Sequence, residues 1–252
     1  LEVRVTRRPR IAILSNGDEL IGPEGFAEVL AGRKIVDSNA WALAAAVERA
    51  GGEPVGLGIA ADERASLRAA LDRGRSADAL ITTAGASVGD HDLIKDVLAE
   101  LGFALDFWRV AMKPGSPFSF GRLPATRGAD ADAAALLPVF GLPGNPVSAL
   151  VTFEVLVRPA IRRLLGRAVP IPPPLRVRLD AAFPATPRLT HYVRARLETD
   201  ERGGWRARPT GPQGSGILSS VAAADALVVV PPAPHALPAG SLADAIPLFE
   251  EL

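Results

Sequence analysis

Apolar and polar positions change period along the chain, and the change divides it into two kinds of structure. Ile11 to Leu14, Val55 to Ile59 and Ala79 to Ile81 are short apolar runs, each followed by a stretch whose apolar residues recur every three or four positions. Those stretches carry Leu43 and Val47, then Leu67 and Leu71, then Leu93, Ile94, Val97, Leu98 and Leu101, and Gly51-Gly52, Gly74 and Gly102 stop them. Strand then helix, three times over, predicts a mostly parallel sheet with helices on both faces, a three-layer α/β/α domain joined by right-handed crossovers. Asp37-Ser38-Asn39 supplies cap candidates for the first helix, and Asp62 is expected to cap the second. Leu105 to Val110, Phe118 to Gly121 and Leu136 to Leu142 add strands, the last two separated by an Ala/Asp-rich loop from Thr126 to Ala135. Asn145 is a candidate cap for a helix that starts at Pro146, is kinked at Pro159 and stops at Gly166.

Pro170-Ile171-Pro172-Pro173-Pro174 is a stiff linker, and beyond it the period falls to two. Leu175 to Leu179 and Tyr192 to Leu197 alternate apolar with charged residues, which predicts antiparallel strands whose arginines, Arg194 among them, face water. Trp205 to Arg208 and Ala226 to Val230 add further strands, so a small all-β domain closes the chain. With 28 basic and 28 acidic residues and no basic cluster, a nucleic-acid groove is not expected. No apolar run is long enough to span a bilayer, and the absence of cysteine removes disulfides, thiolate metal sites and a cysteine nucleophile and fits a cytoplasmic protein. The sequence opens at Leu1 and enters a strand by Ile11, which reads as part of a longer polypeptide.

Candidate chemistry gathers where the parallel strands end. Gly85-Ala86-Ser87-Val88-Gly89 lies between a strand and a helix, so its backbone N–H groups, with the helix dipole behind them, suit an anion such as phosphate. Asp90 and Asp92 at its mouth would repel a phosphate unless a divalent cation lies between them. The same residues also suit a tight turn and a capped helix, and the loop alone does not choose. Asp18 and Glu19 follow the first strand, at the edge where open α/β sheets bind ligands, but no G-x-G-x-x-G stands there. Arg109 and Lys113 are four apart and able to reach an oxyanion. Gly141-Leu142-Pro143-Gly144-Asn145-Pro146 brings a second helix start, with Gly144 allowing close backbone approach. Ser215 sits on the glycine-rich turn Gly211 to Gly216, and His91, His191 and His235 are too scattered for a metal cluster.

Five of these motifs, in this order and spacing, resemble the MoeA family of molybdopterin molybdenumtransferases, which includes the E domain of gephyrin. They are Asn16-Gly17-Asp18-Glu19, Val36-Asp37-Ser38-Asn39, Gly85 to Asp92, Met112-Lys113-Pro114-Gly115 and Gly141 to Pro146. The resemblance implies a molybdopterin-binding α/β domain over residues 1–168 and a C-terminal β domain over 169–252, with the family's two N-terminal domains missing. It further implies insertion of molybdate into adenylylated molybdopterin with release of AMP, aided by Mg2+, in a cytoplasmic homodimer acting on small molecules. The family's metal and acid positions fall on Asp37 and Asp92, with Glu19 nearby, and its ligand-binding positions on Gly85, Ser87, Gly89, Arg109, Lys113, Pro143, Gly144, Pro146 and Ser215. The sequence departs from the family in having Asn16 for Thr, Ala84 for Gly, Arg109 for Lys and Ser116 for a second Lys. The resemblance leaves two alternatives, a molybdopterin adenylyltransferase and a non-catalytic molybdopterin-binding or scaffold module. The chain on its own is expected to turn over poorly.

Overall fold

The computed structural model describes residues 2–83, 93–126, 135–171 and 173–249; the glycine loop at 84–92 and most of the Ala/Asp-rich loop lie outside them. Strand β1 (Arg10–Asn16) is followed by a small arm, β2 (Leu20–Ile21), helix α1 (Phe26–Leu30) and β3 (Ile35–Val36). Then come α2 (Ser38–Arg49), β4 (Glu53–Ala60), α3 (Arg64–Gly74), β5 (Ala79–Thr82) and α4 (Leu93–Glu100). Strands β6 (Ala104–Trp108), β7 (Met112–Lys113), β8 (Ser119–Pro124) and β9 (Leu136–Gly141) lead to α5 (Pro146–Thr152). One π-helical turn, Phe153–Val157, separates α5 from α6 (Arg158–Leu164). The chain ends with β10 (Leu175–Leu179), β11 (Thr190–Thr199), β12 (Trp205–Pro209), α7 (Ser219–Ala222), β13 (Ala226–Val230) and β14 (Leu242–Pro247).

These elements form two compact units, each drawn from separate stretches of chain: residues 1–109, 117–144 and 155–170 in the first, and 110–116, 145–154 and 171–252 in the second. The first holds a six-stranded sheet in the order β4-β1-β5-β9-β8-β6. Its first four strands are parallel, β8 runs against β9, and β6 runs against β8. Interior β5 is buried along its whole length, as a strand covered on both faces must be. Side chains alternate across the sheet. Ala12, Leu14, Leu80 and Val139 pack with Leu67 and Leu71 of α3 and Ile94 and Val97 of α4, while Ile13 faces α2, and Ala79 and Phe140 face α6. This is the three-layer arrangement that the sequence pattern predicts.

In the second unit, β12-β10-β14-β13-β11 close into a five-stranded barrel through β11–β12 pairing, with β7 added parallel to β11. Val177, Phe183, Val193, Ala226 and Val228 fill it. Three local expectations change. Asp62 does not cap α3: the cap position is Glu63, without a side-chain bond, because the Asp62 carboxylate accepts from Asn16 Nδ2 at 2.7 Å instead. Asn145 stands at the cap position of α5 but makes no capping bond, since the Val147 N–H it would serve donates to Ser215 O at 3.1 Å. Met112 and Lys113, at the start of the Met112-Lys113-Pro114-Gly115 motif where no strand is predicted, form β7 and pair with β11.

Candidate functional site

In the first unit, the parallel strands deliver Asn16, Ala60, Thr82 and Gly141 to one edge of the sheet, and β6 delivers Trp108 there. Open α/β sheets bind ligands at this carboxyl edge. Asn16 Nδ2 donates to Ala60 O at 3.2 Å and to Asp62, while Asp62 N donates to Asp18 Oδ1 at 3.0 Å. Lys34 adds a bond to Asp18 O. Asp18 therefore serves the loop's own structure, whereas Glu19 is exposed, its carboxylate folded against Gly17. Gly17 has φ +148, a backbone that side chains rarely adopt, which favours glycine in this turn.

Asp37 is buried at 5% exposure and caps α2, accepting from Ala40 N at 3.1 Å. Its second oxygen takes no hydrogen bond among the described residues. It borders a cleft of about 440 Å³ lined also by Glu24, Trp41, Gly56, Gly58 and Ile59. Two residues on, Asn39 Nδ2 donates to Gly144 O at 2.7 Å, which ties the Val36-Asp37-Ser38-Asn39 motif to the Gly141-to-Pro146 motif. Asn39 Oδ1 and Ser15 Oγ are both buried without a hydrogen-bond partner among the described residues. Orphaned buried polar atoms are costly unless something satisfies them, and two at one sheet edge mark a place for a polar ligand. Pro143 is buried and Gly144 exposed, with nothing described closer than 3.7 Å to a Cβ at 144, so packing does not demand glycine there. Arg109 is exposed and has φ +67, a left-handed backbone that a non-glycine residue rarely adopts. Its guanidinium stacks 4.3 Å from the Trp108 ring centroid. Asp92, Gly85, Ser87 and Gly89 lie outside the described residues.

In the second unit, Lys113 is exposed and pairs across to His191. Burial, then the Lys113 charge, push the His191 imidazole below its ordinary value, and Thr186 Oγ1 lies 3.0 Å from its Nε2. The unfolded chain, titrating near about pH 6.5, takes up a proton that folded His191 resists. The residue therefore contributes stability above that pH, lost as the pH falls through its lower folded value. Thermal melts are expected to show a lower midpoint at pH 5 than at pH 7.5, and His191→Gln to narrow that gap.

Pro146 takes the first position of α5, and half-buried Ser215 holds the next amide through its carbonyl. The loop bearing Ser215 is fixed by a residue whose role the alternating pattern hid. Arg194, expected on the wet face, is 0% exposed. Its Nε donates to Ser220 Oγ and its Nη2 to Gly214 O, both at 3.0 Å, and Gln213 bonds its backbone at both N and O. Burial pushes the guanidinium pKa down, and no carboxylate pairs with it among the described residues. The nearby Gln213-Gly214 turn was its one sequence signal.

Residues 12–163 match the family described as a probable molybdopterin binding domain, and residues 176–248 match the MoeA C-terminal region, domain IV. An α/β domain of the molybdopterin-binding class is thus followed by the β domain that accompanies it. The chain belongs to the MoeA, or molybdopterin molybdenumtransferase, family. The Nostoc molybdopterin molybdenumtransferase is 40% identical over 169 residues, 66% of this chain and 36% of the relative. The Mycobacterium tuberculosis molybdopterin molybdenumtransferase 2 is 35% identical over 91% of this chain and 54% of its own. A crystal structure of the molybdopterin biosynthesis MoeA protein from Pyrococcus horikoshii superimposes with a TM-score of 0.74 at 29% identity, covering 96% of this chain and 55% of that one. The chain therefore spans between about a third and just over half the length of these relatives.

Proposed function

We propose that this chain carries the ligand-binding and metal-binding part of an enzyme that inserts molybdate into adenylylated molybdopterin and releases AMP. The observation that carries this reading is the Asn39–Gly144 bond, which brings two family motifs to one sheet edge beside the orphaned oxygens of Asn39 and Ser15. In this reading Pro143 and Gly144 bind ligand in the first unit, and Pro146 and Ser215 are ligand-binding positions of the second. Arg109 and Lys113 contact anionic oxygens, and the loop bearing Gly85, Ser87 and Gly89 cradles phosphate. The matched C-terminal β domain favours a molybdenumtransferase over a single-domain adenylyltransferase.

Asp37 offers a hard, buried oxygen ligand of the kind Mg2+ takes. Among the described residues no three metal-ligating side chains gather, so the metal site we propose joins Asp37 to Asp92. Held by Asp37 and Asp92, Mg2+ would supply charge neutralisation for phosphoanhydride cleavage. Asp37 orients it, because the Ala40 amide fixes one carboxylate oxygen and leaves the other for the ligand. In this reading exposed Glu19 accepts a proton from the attacking water. The proposal extends to a cytoplasmic homodimer that acts on small molecules and binds no nucleic acid. Among the described residues no helix is long and apolar enough to cross a membrane. The test is product analysis with the full-length protein. AMP formed from adenylylated molybdopterin only when molybdate and Mg2+ are present supports the reading; ATP consumption without AMP release from that substrate overturns it.

A further inference from the structure

We propose that Ser15 and Asn39 form an uncharged subsite at the sheet edge, which takes a hydroxyl or N–H group of the nucleotide rather than a phosphoryl or molybdate oxygen. The inference rests on the proposed function and adds to it the chemical polarity of the group received beside Asn39. Both residues break an apolar pattern. Residues 11, 13 and 15 of β1 share one face of the strand, and Ile11 and Ile13 are buried there, so Ser15 stands where a third apolar side chain belongs. Leu43, Ala46, Val47 and Ala50 form the buried stripe of α2 and its cap, and Asn39 lies on that stripe four residues before Leu43. A Cβ built on Gly52 would meet Val47 and Ile11 at 2.8 and 3.2 Å, so those two side chains adjoin. From Ile11 to Ser15 the strand rises about 13 Å. From Val47 back to Asn39, which is bonded to Gly144 O beyond β9, the helix covers about 12 Å. The two polar residues therefore reach the carboxyl edge at one level.

Hydrogen bonding sets the polarity. Gly144 O can only accept, so the Asn39 amide turns its Nδ2 toward it, at 2.7 Å, and Oδ1 is the atom left without a partner among the described residues. An amide oxygen accepts and cannot donate. A deprotonated phosphoryl or molybdate oxygen has no proton to give it, whereas an O–H or N–H has. Ser15 Oγ, likewise unpartnered among the described residues, can donate or accept, which suits a hydroxyl. Asp37, two positions before Asn39, points to another side of α2, where it borders a cleft with Ala40, Trp41 and Ala44. The carboxylate proposed to hold Mg2+ and the neutral pair thus face different ways. Two polar residues at apolar positions, each with an oxygen unpaired, depart from local preference in the manner of functional sites. The nucleotide carries neutral donors in two places, the ribose hydroxyls of its AMP half and the N–H groups of its pterin half.

The experiment is calorimetric titration of the chain, and of its Ser15→Ala and Asn39→Ala variants, with AMP, dideoxyadenosine monophosphate, pterin and sodium molybdate. Ser15→Ala is expected to weaken either AMP or pterin by about fivefold, the loss of one neutral hydrogen bond, and to leave molybdate binding unchanged. Its thermal midpoint should hold or rise, because a buried hydroxyl without a partner is removed. Weaker binding by a chain that is no less stable is a result that a merely structural serine would not give. Asn39→Ala should weaken the same probe and also lower the midpoint, since the bond to Gly144 O goes with it. If AMP is the probe affected, and dideoxyadenosine monophosphate binds wild type and Ser15→Ala alike, the ribose supplies the donor. If pterin is affected, its N–H groups do. Unchanged affinity for AMP and pterin in both variants overturns the subsite and leaves the proposed function standing, as does a loss of molybdate binding in Ser15→Ala. Failure of the wild-type chain to bind either AMP or pterin overturns the subsite together with the reading of this edge as the nucleotide site.

Discussion

Asp37→Asn is expected to leave the full-length protein folded and to lower its Mg2+-dependent turnover by about a hundredfold or more, at least the loss that follows removal of a metal site's outer supports. The two halves of this result come from two different properties of one side chain. Asp37 caps α2 by accepting from Ala40 N at 3.1 Å, and asparagine caps a helix about as well as aspartate does. The fold should therefore survive, with melting unchanged within about 0.5 kcal/mol. The amide cannot supply an anionic oxygen, so the metal contact is lost while the cap is kept. Asp37→Ala removes both and should add a stability loss of about 1 kcal/mol. Turnover and melting measured on the two variants separate the roles: full activity in Asp37→Asn would remove Asp37 from the metal site.

The largest stability effect is expected at Arg194. Arg194→Ala deletes a fully buried side chain, leaves Gly214 O and Ser220 Oγ short of a donor and opens a cavity, at a cost of about 2–5 kcal/mol. Arg194→Met fills much of that space without burying a charge, so it should recover part of the loss. The glycine-rich loop would still lose its hold in Arg194→Met, and the Ser215 carbonyl would grip Val147 N less firmly. Amide exchange at Val147, protected in the wild type by its bond to Ser215 O, should then speed up even where the melting point has recovered. Unchanged stability in Arg194→Ala would show that the guanidinium does not organise the loop.

The strand and helix alternation was legible because each element of the first unit writes its own period: β5 as an apolar run, α3 and α4 as amphipathic repeats. Features decided by distant partners were not. Met112 and Lys113 form a strand because Thr190 and His191 offer them a free edge, some eighty positions away in sequence. Arg194 follows the wet-face alternation of β11 and is buried all the same, because Gly214, Ser220 and Gln213 satisfy its polar atoms from outside the strand. Asp62 had the right position for a cap and was drawn off by Asn16. The candidate site was legible as motifs, and the structure adds what joins two of them, a single amide from Asn39 to Gly144. Pro159 was expected to kink a continuous helix, and the chain instead loosens into a π turn before it, which accommodates the missing N–H.

In the proposed function, the sheet edge bearing Asp37, Asn39 and Gly144 binds the molybdopterin nucleotide or its parts. A crystal structure of the chain grown with AMP, molybdate and Mg2+ tests it most directly. Ligand atoms are expected within hydrogen-bond distance of Asn39 Oδ1, with a cation on the second oxygen of Asp37. Ligand bound elsewhere, with this edge empty at saturating concentrations, would contradict it.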